Sequence, residues 1–131
     1  MKIAICGSMA FAKEMFEIKS RLNLSHNTTP ANVEKYADGR VSVEDKWEKI
    51  ESDVIKSYFE EIKKVDAILV VNKDKNNIKN YVGGNALIEM AFAHILNKKI
   101  FLLNGIPKMS YSDELGVMKP VVLNGDLSRI K

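Results

Sequence analysis

Apolar residues in this chain gather in four short runs: Ile3–Cys6, Ala67–Val71, Ile100–Leu103 and Val121–Leu123. None alternates apolar with polar positions, so each is expected to be a strand covered on both faces, as in a parallel sheet. Helical periodicity fills the intervals. One stripe, Phe11, Met15, Ile18 and Leu22, predicts a helix over about 9–22. A second, Trp47, Ile50, Val54, Tyr58 and Ile62, predicts one over about 43–65, with Ser42 and Asp45 as a capping box at its start. A third helix is expected over about 85–96, with Asn85 as its N-cap.

Strands that alternate with helices specify an α/β domain with a Rossmann-like, doubly wound parallel sheet and right-handed crossovers. The 131 residues suit one domain spanning 1–131. The polar stretch 23–41 fits this pattern least well. A short edge strand is expected near Asn27–Pro30, and the remainder reads as a long loop of the kind that forms lids and binding segments. The tail after Leu123 is expected to cap the domain or to join a subunit contact. In open α/β sheets ligands bind beyond the carboxyl ends of the strands. Those ends are Gly7-Ser8, Asn72-Lys73-Asp74 and Asn104-Gly105, all small or polar and expected to converge.

Charge and cysteine content narrow the function classes. The net charge of +3 comes from 20 basic and 17 acidic residues that are interleaved, which argues against a nucleic-acid partner. The single cysteine, Cys6, ends a buried strand and permits no internal disulfide, so a reducing, cytoplasmic setting is expected. The apolar start is too short for a secretory signal, and no run approaches the ~18 apolar residues of a membrane span.

Chemistry concentrates on the third helix. Within Asn85–Asn97, Glu89 is the only charged residue if His94 is counted neutral, and its neighbours are apolar nearly all round, so the helix is expected to be buried on most sides. A buried carboxylate needs a reason. In the second turn its side chain tilts toward the helix N-terminus and the expected crevice. Apolar surroundings raise its pKa and the helix terminus lowers it. An ionised, poorly solvated carboxylate is a good nucleophile toward an oxocarbenium-like sugar carbon. The alternative is a glutamate bonded to a neighbouring tyrosine, lysine or backbone amide.

Gly83-Gly84 before this helix, and Gly7-Ser8 after the first strand, permit tight turns and close approach of a ligand to backbone N–H groups. No dinucleotide-type or P-loop glycine pattern is present. The loop 72–82 carries Lys73, Asp74, Lys75, Lys79 and Tyr81. In it Asp74 is a candidate acid or hydroxyl ligand, and a lysine a candidate phosphate partner. His26 and His94 match no zinc spacing, and His94 is expected to be packed.

The segment 66–103 resembles the nucleoside 2-deoxyribosyltransferase family and its deoxynucleoside 5′-monophosphate N-hydrolase relatives. The residues that carry the resemblance are Val65-Asp66-Ala67 opening a strand, the turn and helix from Gly84 through Glu89 to Ala93, and Asn97-Lys98-Lys99-Ile100 entering the next strand. Ile3 to Ser8 matches the family's first strand and sugar-proximal turn. The run Gly83-Gly84-Asn85 to Glu89 also partly resembles the glycine-rich signature of the lysine-decarboxylase-like nucleotide phosphoribohydrolases. Both relatives cleave N-glycosidic bonds. The resemblance implies a flavodoxin-like, five-stranded, three-layer α/β/α fold. It also implies a glutamate nucleophile at Glu89, a covalent glycosyl-enzyme, and a homodimer or higher homo-oligomer whose site takes a residue from near the neighbour's C-terminus, for which Asn124 is the candidate. Family members often carry an aspartate where this chain has Gly83.

The expected function is therefore cleavage or transfer at the N-glycosidic bond of a nucleoside or nucleotide. Glu89 and Asp74 are the candidate catalytic residues. Gly7, Ser8, Phe11, Asn72, Gly83, Gly84, Asn85, Asn104 and Asn124 are the candidate substrate-binding positions. No metal or organic cofactor is expected. The alternative is a nucleotide or nucleotide-sugar sensing module of the same fold, motivated by Gly83. A third possibility is a small oligomeric scaffold in which Glu89 is salt-bridged.

Overall fold

The computed structural model describes residues 1–22, 27–28 and 54–130. The capping box at Ser42 and Asp45, the positions Trp47, Ile50 and His26, and most of 23–41 lie outside the described residues. Each apolar run forms a strand, and the strands are β1 (Ile3–Gly7), β3 (Ala67–Val71), β4 (Lys99–Leu102) and β5 (Val121–Val122). All pair in parallel, and the short β2 (Asn27–Thr28) pairs in parallel with β1 at the outer edge. The order across the sheet is β2-β1-β3-β4-β5. The register sets Gly7 beside Val71 and Val70 beside Leu102, so the carboxyl ends of the central strands finish level. The fold is α/β with a parallel sheet, compatible with the Rossmann-like class.

Alternate strand residues face opposite sides. Ile3, Ile5, Leu69 and Phe101 join α1 (Ala12–Leu22) in one core, through Met15 and Ile18. Ala4, Cys6, Ile68, Val70 and Leu102 join α2 (Val54–Lys63) and α3 (Gly84–Ile95) in the other, through Tyr58, Ile62, Met90 and Ala93. Both faces of the central strands are thus covered, which is why their sequences do not alternate.

The first helix begins later than its stripe suggests. Met9–Phe11 is a 3-10 turn whose start is capped by Ser8, the hydroxyl accepting from Ala10 N at 3.3 Å. Gly7, with φ +157°, connects β1 to this turn. A Cβ there would lie 3.0 Å from the Val71 carbonyl oxygen and 3.2 Å from Met15 Sδ, so only glycine fits.

Two expectations for α3 need correction. Its N-cap is Gly83, not Asn85, and it has no side-chain cap bond. The helix is also buried on one face only. Ile88 and Ala91 are exposed and Ile95 is 77% exposed, because the sheet and α2 cover just the side bearing Ala86, Glu89, Met90 and Ala93. Apolar composition indicates burial, but the position of the neighbouring layer decides which face receives it. His94, expected to be packed, is exposed on the outer face.

The helix α4 (Ser112–Val117) was not apparent in the pattern, since six residues containing Gly116 are too few for a periodic stripe; Leu115 anchors it. The tail folds back on its own chain. Leu127 and Ile130 pack on the α1 side, and Asp126 caps the 3-10 turn Leu127–Arg129 by accepting from Ser128 N at 3.0 Å.

Candidate functional site

The carboxyl ends of β1 and β3 open onto a cleft of about 210 Å³ lined by Gly7, Ser8 and Met9, by Gly83, Gly84, Asn85 and Ala86, and by Lys75 and Tyr81 from the intervening loop. Two glycine-bearing turns that are far apart in the chain therefore meet, as the topology requires. The first-turn N–H groups of a helix have no intrahelical acceptor, and here no side chain caps them. A Cβ on Gly83 would meet the Tyr81 ring at 3.1 Å, so glycine lets the ring close on the turn. Lys75 Nζ donates to Ser8 Oγ at 3.0 Å and lies 5.2 Å from the centroid of the Tyr81 ring. The cleft lining thus carries a cation, a hydroxyl and a helix N-terminus, and no carboxylate.

A second, more open pocket of about 420 Å³ adjoins it, lined by Ala10, Phe11, Glu14, Lys73, Asp74, Lys75 and Asn104. Lys75 borders both pockets. Asp74 is exposed, and its Oδ1 accepts from Asn80 N at 3.0 Å. Phe11 is largely core, with an edge reaching this pocket.

The loop after β3 is a folded element. Lys75 and Ile78 exchange backbone hydrogen bonds of 3.0 and 2.9 Å, and Asn76 and Asn77 between them have φ 53° and 61°. Positive φ at both central residues marks a type I′ hairpin turn, for which asparagine is among the best-suited residues. This turn holds Lys75 at the cleft and Asp74 at the adjoining pocket. Asn72 ties the loop down. It is fully buried, and its Nδ2 donates toward the carbonyl oxygens of Asn80, Asn104 and Gly105 at 3.3, 3.1 and 3.0 Å. Its Oδ1 accepts from Asn104 N at 2.9 Å, and Asn104 Nδ2 returns a bond to the Asn72 carbonyl at 2.9 Å. Asn72 therefore faces inward and joins the loops that follow β3 and β4, while Asn104 reaches the second pocket.

Glu89 stands one helical turn beneath the cleft. Asn85 and Ala86, which line it, precede Glu89 by four and three residues and share its helix face. The carboxyl itself is not part of the cleft lining, and the residue is 6% exposed. Burial pushes its pKa up to about 8, and the Cys6 thiol beside it pulls the other way. Cys6 points to the α2–α3 side of the sheet, and burial raises its own pKa well above the usual thiol range. Tyr58 of α2 completes the group. Its hydroxyl donates to the Ile5 carbonyl at 2.5 Å, the Cys6 thiol points toward the Ala4 carbonyl at 4.0 Å, and the Tyr58 pKa is raised by burial. Pattern alone gave Cys6 and Tyr58 to the core. A signal existed in strand alternation, which puts Cys6, directly before the Gly7 turn, on the side of Glu89.

The remaining candidate, Asn124, is exposed in a left-handed turn with Gly125, whose N–H donates to the Leu103 carbonyl at 2.8 Å; it lines neither pocket. Among the described residues no three of His, Cys, Asp and Glu gather closely enough to hold a metal ion. No described helix is long and apolar enough to cross a membrane.

Compared with known proteins, the chain matches no family model, no curated sequence and no solved structure.

Proposed function

We propose that this protein cleaves or transfers at the N-glycosidic bond of a nucleoside or nucleotide, with Glu89 as nucleophile. The observation that carries the proposal is a buried carboxyl group one helical turn beneath a cleft at the carboxyl ends of a parallel sheet. In the first step a Glu89 oxygen bonds to the anomeric carbon. The glycosidic bond breaks, its electron pair leaves with the base, and the base takes a proton from Asp74 or water. In the second step water, giving its proton to Asp74 or solvent, or another base attacks the same carbon, and the bond to the Glu89 oxygen breaks to free the carboxylate. Backbone N–H groups at Gly7-Ser8 and Gly83–Asn85 hold the sugar or a 5′-phosphate. Asn72 acts by positioning the loops. Several finer assignments belong to the same proposal: a flavodoxin-like, five-stranded, three-layer arrangement, a cytoplasmic setting and a homo-oligomer that brings Asn124 to a neighbour's site. The edge pairing of β2 and the helices on both sheet faces support the fold assignment.

The test is to incubate the protein with deoxynucleosides and their monophosphates and follow base release or exchange. Wild type should turn over and Glu89→Gln should not; equal traces at background level end the enzyme proposal for those substrates. A nucleophile with pKa about 8 must lose its proton to react. The kcat/KM is therefore expected to climb about tenfold per pH unit up to about pH 8 and then level.

Lys75 is expected to distinguish phosphorylated substrates. Lys75→Ala should raise KM for a monophosphate by roughly 10-fold or more, the size of a charge-assisted hydrogen bond, and change KM for the matching nucleoside little. Equal effects on both substrates would remove Lys75 from phosphate recognition.

A second proposal, a nucleotide-binding module without turnover, is favoured by the glycine at position 83 and by a carboxyl that is mostly protonated at neutral pH. Calorimetry separates the two, since tight nucleotide binding without base release identifies the module.

A further inference from the structure

The loops that follow β3 and β4 also enclose a pocket of about 430 Å³ that shares no lining residue with the cleft or the second pocket. Residues 77–80 form one wall and residues 106–108 the other. Both walls are fixed from within. The Asn76-Asn77 turn and the bond from Asn80 N to Asp74 hold the first. Ser112 holds the second, its hydroxyl donating toward the Pro107 carbonyl at 2.6 Å and accepting from Met109 N at 2.7 Å. Buried Asn72 joins the two walls at their base through the Asn80, Asn104 and Gly105 carbonyls. A pocket built in this way is preorganised, so little ordering entropy is lost when it fills.

The lining is amphipathic and its charge is of one sign. Ile78, Ile106 and Pro107 supply apolar surface, and Ile106 remains 40% exposed. Each wall adds one exposed lysine, Lys79 and Lys108. Neither ammonium group has an ion-pair or hydrogen-bond partner among the described residues, and no carboxylate lines the pocket. Asp74, though bonded to Asn80 N, opens onto the second pocket instead. Fixed walls of one charge concentrate anions between them. The volume lies within the ~300–1,000 Å³ of small-molecule sites, which pair an apolar lining with a few convergent polar groups. We propose that this pocket binds a small amphiphilic anion. Its apolar body rests on Ile78, Ile106 and Pro107, and its acidic group is shared by Lys79 and Lys108. A neutral apolar ligand would leave both ammonium groups unpaired, and a wholly polar anion would leave the apolar floor uncovered. The site is separate from the cleft and does not depend on Glu89 or on turnover.

The test titrates the full chain with anilinonaphthalene sulfonate, an aromatic sulfonate whose emission rises in apolar surroundings. Saturable binding is expected, with an affinity that falls as salt is added. Saturating probe should raise the thermal midpoint, because a ligand of the native state stabilises it, whereas a probe of loosened protein lowers it. Phenylnaphthylamine, the same ring system without the sulfonate, should bind at least roughly 10-fold more weakly. Lys79→Gln and Lys108→Gln should each weaken probe binding by roughly threefold or more, the modest size expected of exposed charges. Ile106→Ser should weaken it by about the same factor through lost apolar contact. All three side chains are exposed, so the fold does not rest on them. Lys75→Ala changes the cleft and the second pocket but no lining residue of this one, and should leave binding unaltered. Unchanged binding in any one of the three pocket variants, equal binding of the uncharged analogue, a lowered thermal midpoint, or loss of binding in Lys75→Ala overturns the proposal. So does the absence of saturable binding.

Discussion

Glu89→Gln is expected to be more stable than the wild-type protein at pH 8, by on the order of 4 kcal/mol, while it loses at least roughly 10³-fold in base release. The stability effect follows from the shift in pKa from 4.5 to about 8 on burial. Below pH 4.5 the group is protonated whether the chain is folded or not, and contributes no difference. Between pH 4.5 and 8 the unfolded chain releases this proton and the folded chain keeps it, so wild-type stability falls as pH rises. Above pH 8 the full penalty is present and the dependence flattens. Each pKa unit is worth about 1.4 kcal/mol. Glutamine cannot ionise, so its stability lacks this decline, and the two proteins should converge near pH 4.5. Urea unfolding at pH 4.5, 6 and 8 measures the difference. Midpoints that run parallel across that range would show that Glu89 titrates in the folded protein as it does in the unfolded chain. A residue that destabilises the protein in its ionised form, yet sits beneath the cleft, is the pattern of stability given up for function.

Asn72→Asp is expected to destabilise the fold by at least about 3 kcal/mol at neutral pH. The amide nitrogen of Asn72 faces three carbonyl oxygens at 3.0–3.3 Å in a fully buried position. A carboxylate there replaces the donor with a negative charge aimed at acceptors, and the loops after β3 and β4 keep only the two bonds between residue 72 and Asn104. The variant's carboxyl would hold its proton above the usual range, which sets the sign of the pH dependence. Its relative stability should be greatest below about pH 4 and decline as pH rises. Thermal unfolding should show a fall of several degrees or more at pH 7. A variant within 1 kcal/mol of wild type would mean that the loops hold together without this amide. Because Asp74 and Lys75 are positioned by the same loop, turnover should fall even under conditions where the variant remains folded.

Part of the site was readable along the chain. Gly7-Ser8 and Gly83-Gly84-Asn85 are separated by some 75 residues, yet parallel topology alone predicts that they meet, and they line one cleft. Asp74 and Asn104 fall in the adjoining pocket. Asn72, by contrast, belongs to the same strand-end cluster in sequence but is buried among the loops and lines neither pocket. Its side chain is engaged by backbone groups, and a backbone carbonyl leaves no trace in residue type. The type I′ turn at Asn76-Asn77 carries a composition signal, although only the folded chain shows that it aims Lys75 at Ser8.

The sequence by itself determined the strands, their burial on both faces, the parallel class of the sheet and the singularity of Glu89. These follow from runs and periods of apolar residues, which are properties of the chain taken one segment at a time. Only the tertiary structure decided which face of α3 is buried, that His94 is exposed, and that Glu89 meets Cys6 and Tyr58. Each of these depends on which element lies across from which, and on how far one layer extends over the next. Burial fixes the pKa of Glu89, and burial is a property of the packed layers and not of the helix that carries the residue.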